Sequence, residues 1–325
     1  MRTSDWTAKA KLASRVGLIL LSSVLLSGCD WAILDPKGPT GLAERDLIFL
    51  ATGLMLIVVI PVIVMSVVIA WRYRASNTKA TYLPTWAHSN AIEAVVWTIP
   101  VIIILVLGTV TWLSTHALDP RKPIPSAEKP LEVQVVSLDW KWLFIYPEYG
   151  VASVNELAMP VGRPVHFTLT SSGVMNVFFV PALGTQIYTM PGMQSQLNLS
   201  ADHTGTYQGI SANYSGRGFS DMHFETKVVD KAGFATWIAT AKKAAPLDNG
   251  EYKRLLSQGT HPVAMFGKVE DGLYHRILNR CATGGVCTDD AVAMTNMKAM
   301  SPGKPLCPDP AVKAKDKISK PNTKG

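Results

Sequence analysis

Two uncharged apolar runs constrain this chain more than anything else in it. Leu47 to Ala70 holds 24 residues without a charged side chain, and Ala94 to Leu113 holds 20. At 1.5 Å per residue these make helices of about 36 Å and about 30 Å. The hydrocarbon core of a bilayer is ~30 Å thick, so each run spans it, the longer one with some tilt. Pro61 and Pro100 lie inside the runs, which membrane helices tolerate because neighbouring groups re-satisfy the freed backbone. Trp71, Trp97 and Trp112 stand near the ends, where amphipathic rings favour the membrane interface. The competing reading is a buried hairpin of a soluble protein, which two uncharged runs of this length oppose.

The flanking charges orient the pair. The loop over 71–92 carries Arg72, Arg74 and Lys79, and no acid stands before Glu93. By the positive-inside rule this loop is cytoplasmic, and transmembrane helices over 47–70 and 93–115 put both ends of the chain on the exported side. The first 28 residues agree. Arg2, Lys9, Lys11 and Arg15 precede the apolar run Val16 to Leu26, and Leu26-Ser27-Gly28-Cys29 follows. This is the layout of a secretory signal, with an apolar run too short to span. A cysteine directly after small residues resembles a bacterial lipobox, in which Cys29 is lipidated and becomes the mature N-terminus; two acyl chains on one residue anchor stably. The alternative is an ordinary signal or short helix with a chance cysteine. The lipobox reading predicts a lipid-anchored bacterial protein, and with the two spans it puts a segment over 29–46 and the main domain on the exported side.

After the Pro-rich linker Asp119 to Pro125 the pattern changes. Leu131–Val136, Trp140–Tyr146, Val165–Thr170, Asn176–Val180, Gln194–Leu199 and His223–Val229 are short strand-like runs separated by Pro and Gly clusters. Short strands at this spacing indicate an all-β, antiparallel sandwich over 120–230. From Lys231 the pattern turns helical, with Phe234, Trp237, Ile238 and Ala241 at spacings of three and four, so a helical extension is expected over 231–300. Leu255-Leu256 and Leu273–Leu278 mark further short helices, and 301–325, rich in Lys and Pro, has the composition of a disordered tail. Cys281, Cys287 and Cys307 leave one thiol over if one disulfide forms, and the sequence does not set the pairing. Lys and Arg are scattered, with no basic stripe interleaved with aromatics, which argues against a nucleic-acid partner.

The stretch Gly209 to Met222 is a Gly- and Ser-rich loop between strand-like runs. Together with Glu93-Ala94-Val95-Val96-Trp97-Thr98-Ile99-Pro100, the aromatic run Asp139 to Tyr146 and Asn176 to Gly184, it carries a dense resemblance over Glu44 to Asp230. This region resembles subunit II of the haem–copper terminal oxidases, which implies a two-helix hairpin followed by a cupredoxin-like domain. In the cytochrome c oxidases of that family the loop holds a dinuclear copper centre. The pattern is Cys, Cys four later, His four later and Met three later, with a further His one strand upstream. The matching places here are Ser211, Ser215, Phe219 and Met222, with Asn176 upstream, and the Glu whose carbonyl ligates is Asn213. Electron-shuttling copper needs bridging thiolates and imidazoles. A Ser hydroxyl stays protonated at neutral pH, Phe offers no donor, and a lone thioether is weak. No metal is therefore expected in this chain. His166, His203 and His223 have no cysteine beside them in the sandwich and do not make a blue-copper set.

Loss of ligands at preserved spacing is the pattern of the family's quinol oxidase branch, which the chain resembles through Gly209-Ile210-Ser211 and Gly218-Phe219-Ser220. The resemblance implies a subunit of a cytochrome bo-type oxidase that takes electrons from ubiquinol and pumps protons. Haems, copper and the quinol site would belong to the large subunit I, with further small membrane subunits as partners and no catalytic residue in this chain. Trp140 matches the tryptophan through which copper-bearing relatives receive electrons from cytochrome c, and that role is in doubt here. From Pro120 to Gly325 there are 22 Lys and Arg against 17 Asp and Glu, a balance that does not attract a basic donor. Glu93 matches the acid that relatives place at the mouth of a proton-input channel, although a carboxylate at a membrane boundary can also be merely solvated. Two competitors stand beside this reading: a copper-bearing subunit fed by cytochrome c, and a lipoprotein scaffold outside any enzyme.

Overall fold

The computed structural model describes residues 31–289, with 82 and 84 excepted. The signal segment, Cys29, Cys307 and the tail over 301–325 lie outside the described residues. Two long helices come first, α1 (Pro39–Arg72) and α2 (Asn90–Ala117), both long and apolar enough to cross a membrane. Apolar side chains such as Ile57, Ile63, Val67, Val95, Ile104 and Leu105 are exposed along them. Some of their hydroxyls bond back to their own helix. Ser66 donates to the Val62 carbonyl at 2.7 Å and Thr109 to that of Leu105 at 2.9 Å, so neither shows an unpaired polar group to lipid.

α1 begins eight residues ahead of the apolar run, with a proline in its first turn, where the fixed φ suits a helix start. This outer end packs on the segment 181–185. The Gly41 amide donates to the Leu183 carbonyl at 3.1 Å, and the Glu44 carboxylate accepts from the Thr185 amide at 3.0 Å. Gly184 takes φ +119°, and a Cβ there would lie 2.8 Å from the Gly41 nitrogen. Only glycine suits both the conformation and the approach.

The sandwich is built from β1 (Leu131–Leu138), β2 (Lys141–Tyr146), β3 (Val151–Val154), β4 (Glu156–Pro160), β5 (Val165–Ser171), β6 (Asn176–Val180), β7 (Gly184–Thr189), β8 (Ser195–Leu199), β9 (Gly205–Ser211) and β10 (His223–Val229). One sheet runs β3-β2-β1-β5-β8 and the other β4-β10-β9-β6-β7. The sandwich matches the expectation, but the sheets are mixed rather than antiparallel throughout. β1 pairs with β5, and β4 with β10, in parallel. The chain leaves the first sheet at Asn155, a non-glycine at φ 56°, and crosses to the second as β4. It returns as β5 beside β1 and in the same direction. Alternating burial reports which face a residue takes and not the direction of its strand.

Trp142, Phe144, Phe178 and Phe224 fill the space between the sheets, all at most 1% exposed. Phe178 and Phe224 stack at 5.2 Å, and Trp142 meets Phe178 edge-on at 5.5 Å, pairs that contribute about 0.5–1.5 kcal/mol each beyond burial.

The C-terminal extension supplies the expected helices: α3 (Lys231–Ala241), α4 (Asn249–Leu255) and α5 (Leu273–Leu278). It also supplies strands. β11 (Pro246–Leu247) pairs with β13 (Lys268–Val269), and β12 (Ala264–Phe266) joins the first sheet as a sixth strand beside β3. Tyr252, Leu255, Phe266, Leu273 and Ile277 pack with Val136, Leu138, Leu143 and Ile145 from that sheet. The sheet is thus covered on both faces, which is why β2 is buried at every position and reads as a continuous run. The buried Lys141 ammonium donates to the carbonyls of Leu255 at 2.9 Å and Ser257 at 2.6 Å, closing the C-terminal end of α4 with a cation. Cys281 and Cys287 form the disulfide.

Candidate functional site

The loop between β9 and β10 is placed by two aromatic residues, each resting on glycine. Phe224 pairs with Gly209 across the β9–β10 ladder, and a Cβ on Gly209 would stand 2.1 Å from the Phe224 ring. Trp140 occupies the two-residue turn between β1 and β2 at φ 67°, a region costly for a bulky side chain. Its indole lies on Gly218, where a Cβ would come within 2.3 Å of the ring, and its Nε1 donates to the Ser215 carbonyl at 3.1 Å. The glycines of Gly216-Arg217-Gly218 are therefore a seat for the indole. In this structure Trp140 is a packing residue of the loop.

Under that clamp the positions matched to copper ligands come together as neutral hydrogen-bonded neighbours. The buried Ser211 hydroxyl donates to Asn176 Oδ1 at 3.1 Å, and the Asn176 amide donates to the Val174 carbonyl at 3.2 Å. Asn213 donates to the Met175 carbonyl at 3.1 Å. The Ser215 hydroxyl points at the Met222 sulfur at 3.9 Å, and the Met222 carbonyl accepts from the Ser211 amide at 3.1 Å. Phe219 opens a single 3-10 turn, Phe219–Asp221, and meets Tyr214 edge-on at 5.6 Å.

This donor set does not fit a dinuclear copper centre. It offers two hydroxyls, two carboxamides and one thioether, each already engaged with a neighbour, and no thiolate or imidazole. Among the described residues no three His, Cys, Asp or Glu side chains converge. His166 sits in β5 with its Nδ1 at 2.9 Å from Asn198 Oδ1, while His223 sits in β10 of the other sheet.

Two contributors were not singled out from the sequence. The Thr189 hydroxyl donates to the Asn176 carbonyl at 3.3 Å and is 2.9 Å from the Ser137 hydroxyl; both residues are fully buried. Ser137 within the apolar run Val135-Val136-Ser137-Leu138 is the one local sign, a polar group needing a buried partner. Glu93 stands elsewhere, in the first turn of α2, with its amide bonded to the Ser89 carbonyl at 2.9 Å.

Known proteins match this sequence. A family model described as the periplasmic domain of cytochrome c oxidase subunit II matches residues 150–229, and one described as the COX aromatic rich motif matches 242–285. The chain is 53% identical over 265 residues to a cytochrome bo(3) ubiquinol oxidase subunit 2 from Pseudomonas aeruginosa, covering 81% of this chain and 80% of that one. The chain belongs to the ubiquinol oxidase subunit 2 family. It is also 50% identical over 283 residues to a ubiquinol oxidase subunit 2 from Acetobacter aceti, covering 86% of this chain and 92% of that relative. A quinol oxidase subunit 2 from Bacillus cereus is 40% identical over 253 residues, covering 77% and 86%. In this member of the family the loop is closed by hydrogen bonds from Ser211 to Asn176 and from Ser215 to Met222, and is clamped by Trp140.

Proposed function

We propose that this chain is the second subunit of a proton-pumping cytochrome bo-type ubiquinol oxidase of the bacterial inner membrane, acting without a copper centre of its own. The complex oxidises ubiquinol and reduces oxygen to water. Haems, copper and the quinol site belong to subunit I, and this chain anchors, stabilises and caps that subunit, alongside smaller membrane subunits. The observation that carries the reading is the loop itself: ligand spacing is preserved while Ser211, Asn176, Ser215 and Met222 bond one another. A loop that closes on itself in this way relays no electron from cytochrome c.

Glu93 is the chain's direct contribution to turnover, as an acid at the cytoplasmic mouth of a proton-input path. Its place in the first turn of α2, beside the boundary set by Arg72, Arg74 and Lys79, supports that role. Cys29, following Leu26-Ser27-Gly28, is the lipid attachment point after removal of residues 1–28. The exported domain over 120–230 and the extension after it face the periplasm.

Metal analysis of the exported portion tests the reading. Absence of stoichiometric copper and of near-infrared absorbance is the expected result. Stoichiometric copper with such a band would return the chain to the cytochrome c-fed branch.

A further inference from the structure

Away from the loop, α3 borders a cleft of about 380 Å³ beside the turn between β4 and β5, within the range of ligand-sized pockets. One stripe of the helix lines it: Lys231, Phe234 and Ile238, then Lys242 at the C-cap. Spacings of three and four residues hold such a stripe on one helix face. Phe234 and Ile238 are 5% and 6% exposed and make an apolar floor with Pro160. Tyr149 also lines the cleft and meets the Phe234 ring edge-on at 5.6 Å.

The rim is basic. Arg163, Lys231 and Lys242 line the cleft against a single acid, Glu128. Two of these cations are already held. The Arg163 guanidinium donates to the carbonyls of Lys129 at 2.8 Å and Pro130 at 3.3 Å and to Glu148 at 3.1 Å, and Lys231 pairs with Glu128. Lys242 is exposed, and among the described residues no carboxylate pairs with it. It is the charge in this cleft left for another molecule.

The two features together select an occupant. A floor sunk this deep is filled by an apolar side chain pushed in from outside, as an anchor residue fills a pocket. A bilayer surface is instead met by apolar side chains that protrude from a basic face. The unpaired cation at the rim favours an anionic partner by charge complementarity. Ile238 and Lys242 stand one helical turn apart, about 6 Å along the axis. Alternate side chains of an extended peptide lie on one face about 6.6 Å apart, so two of them match this pair.

We infer that the cleft docks an extended peptide segment of a partner protein. An apolar side chain of that segment sits on Phe234 and Ile238, and a carboxylate two residues away meets Lys242.

The test places a photo-reactive p-benzoylphenylalanine at Ala235, an exposed residue lining the cleft, in the full chain within its native membranes. The same probe is combined with Lys242→Glu and with Lys242→Arg. Irradiation and peptide mass spectrometry are expected to map the cross-link to a partner peptide with Asp or Glu two residues from a large apolar residue. The yield should fall about tenfold with Lys242→Glu, through like-charge repulsion, and persist with Lys242→Arg. Cross-links to lipid only, to neighbouring residues of this chain only, or to nothing would overturn the inference. So would a partner peptide without that acid, or a yield that Lys242→Glu leaves unchanged.

Discussion

The indole of Trp140 lies on Gly218 so closely that a methyl group at position 218 would stand 2.3 Å from its ring. Gly218 has an ordinary φ of −91°, so its requirement for glycine is steric, and the atoms nearest to an added Cβ all belong to the Trp140 ring. The Gly218→Ala change should displace the indole, break its bond to the Ser215 carbonyl and cost about 1–3 kcal/mol, the usual range for overpacking. Thermal unfolding of the purified chain measures this. An unchanged midpoint would mean that the clamp does not hold the loop.

Lys141 gives a pH dependence. Burial holds its ammonium below the ordinary lysine range, with Asp139 opposing. A folded pKa below the unfolded value means that the unfolded chain binds more protons between the two, so stability rises with pH in that window. The difference in stability between the native chain and Lys141→Met should therefore move in the native chain's favour as pH climbs from neutral toward the ordinary lysine value of 10.5. Chemical denaturation of both at several pH values checks it, and a flat difference would contradict the burial of a charged amine.

The disulfide closes a short loop, with six residues of sequence separation between Cys281 and Cys287. Replacing both with Ser should cost about 2 kcal/mol by loop-closure entropy. The loss should appear as easier proteolysis of the extension after α5 rather than of the sandwich.

Much of the fold was legible because local and tertiary signals coincide. Asn176–Val180, His223–Val229 and Leu273–Leu278 are an expected strand, strand and helix that the structure reproduces residue for residue, each bounded by turn residues. β3 and β4 were not legible. They are separated only by Asn155, whose side chain accepts from the Trp142 amide at 2.8 Å and donates to the His261 carbonyl at 2.6 Å, and that sheet switch depends on partners far along the chain. β9 begins at Gly205 and contains Gly209, which weaken a strand pattern until Phe224 covers the second of them. β12 is three residues long and exists because β3 offers an edge. At the site, Ser211 and Ser215 were legible only against the family's ligand spacing. The bond from Ser211 to Asn176 and the Thr189–Ser137 pair depend on strands brought together by folding.

Glu93, proposed as the mouth of a proton path, makes a separable prediction. In the assembled oxidase Glu93→Gln should slow haem reduction and turnover several-fold while leaving assembly intact, because the amide keeps the shape and loses the titrating group. Turnover equal to the native complex would sink that role and leave Glu93 as a solvated helix-terminal carboxylate.

The central claim, that this is the second subunit of an oxidase fed by quinol and not by a copper relay, rests on the loop in which Ser211 bonds Asn176 and Ser215 faces Met222. Steady-state oxygen uptake by the purified native complex, with ubiquinol and then reduced cytochrome c as sole donor, tests it most directly. Sustained uptake with ubiquinol and none above background with cytochrome c is expected. Saturable uptake driven by cytochrome c would contradict the account.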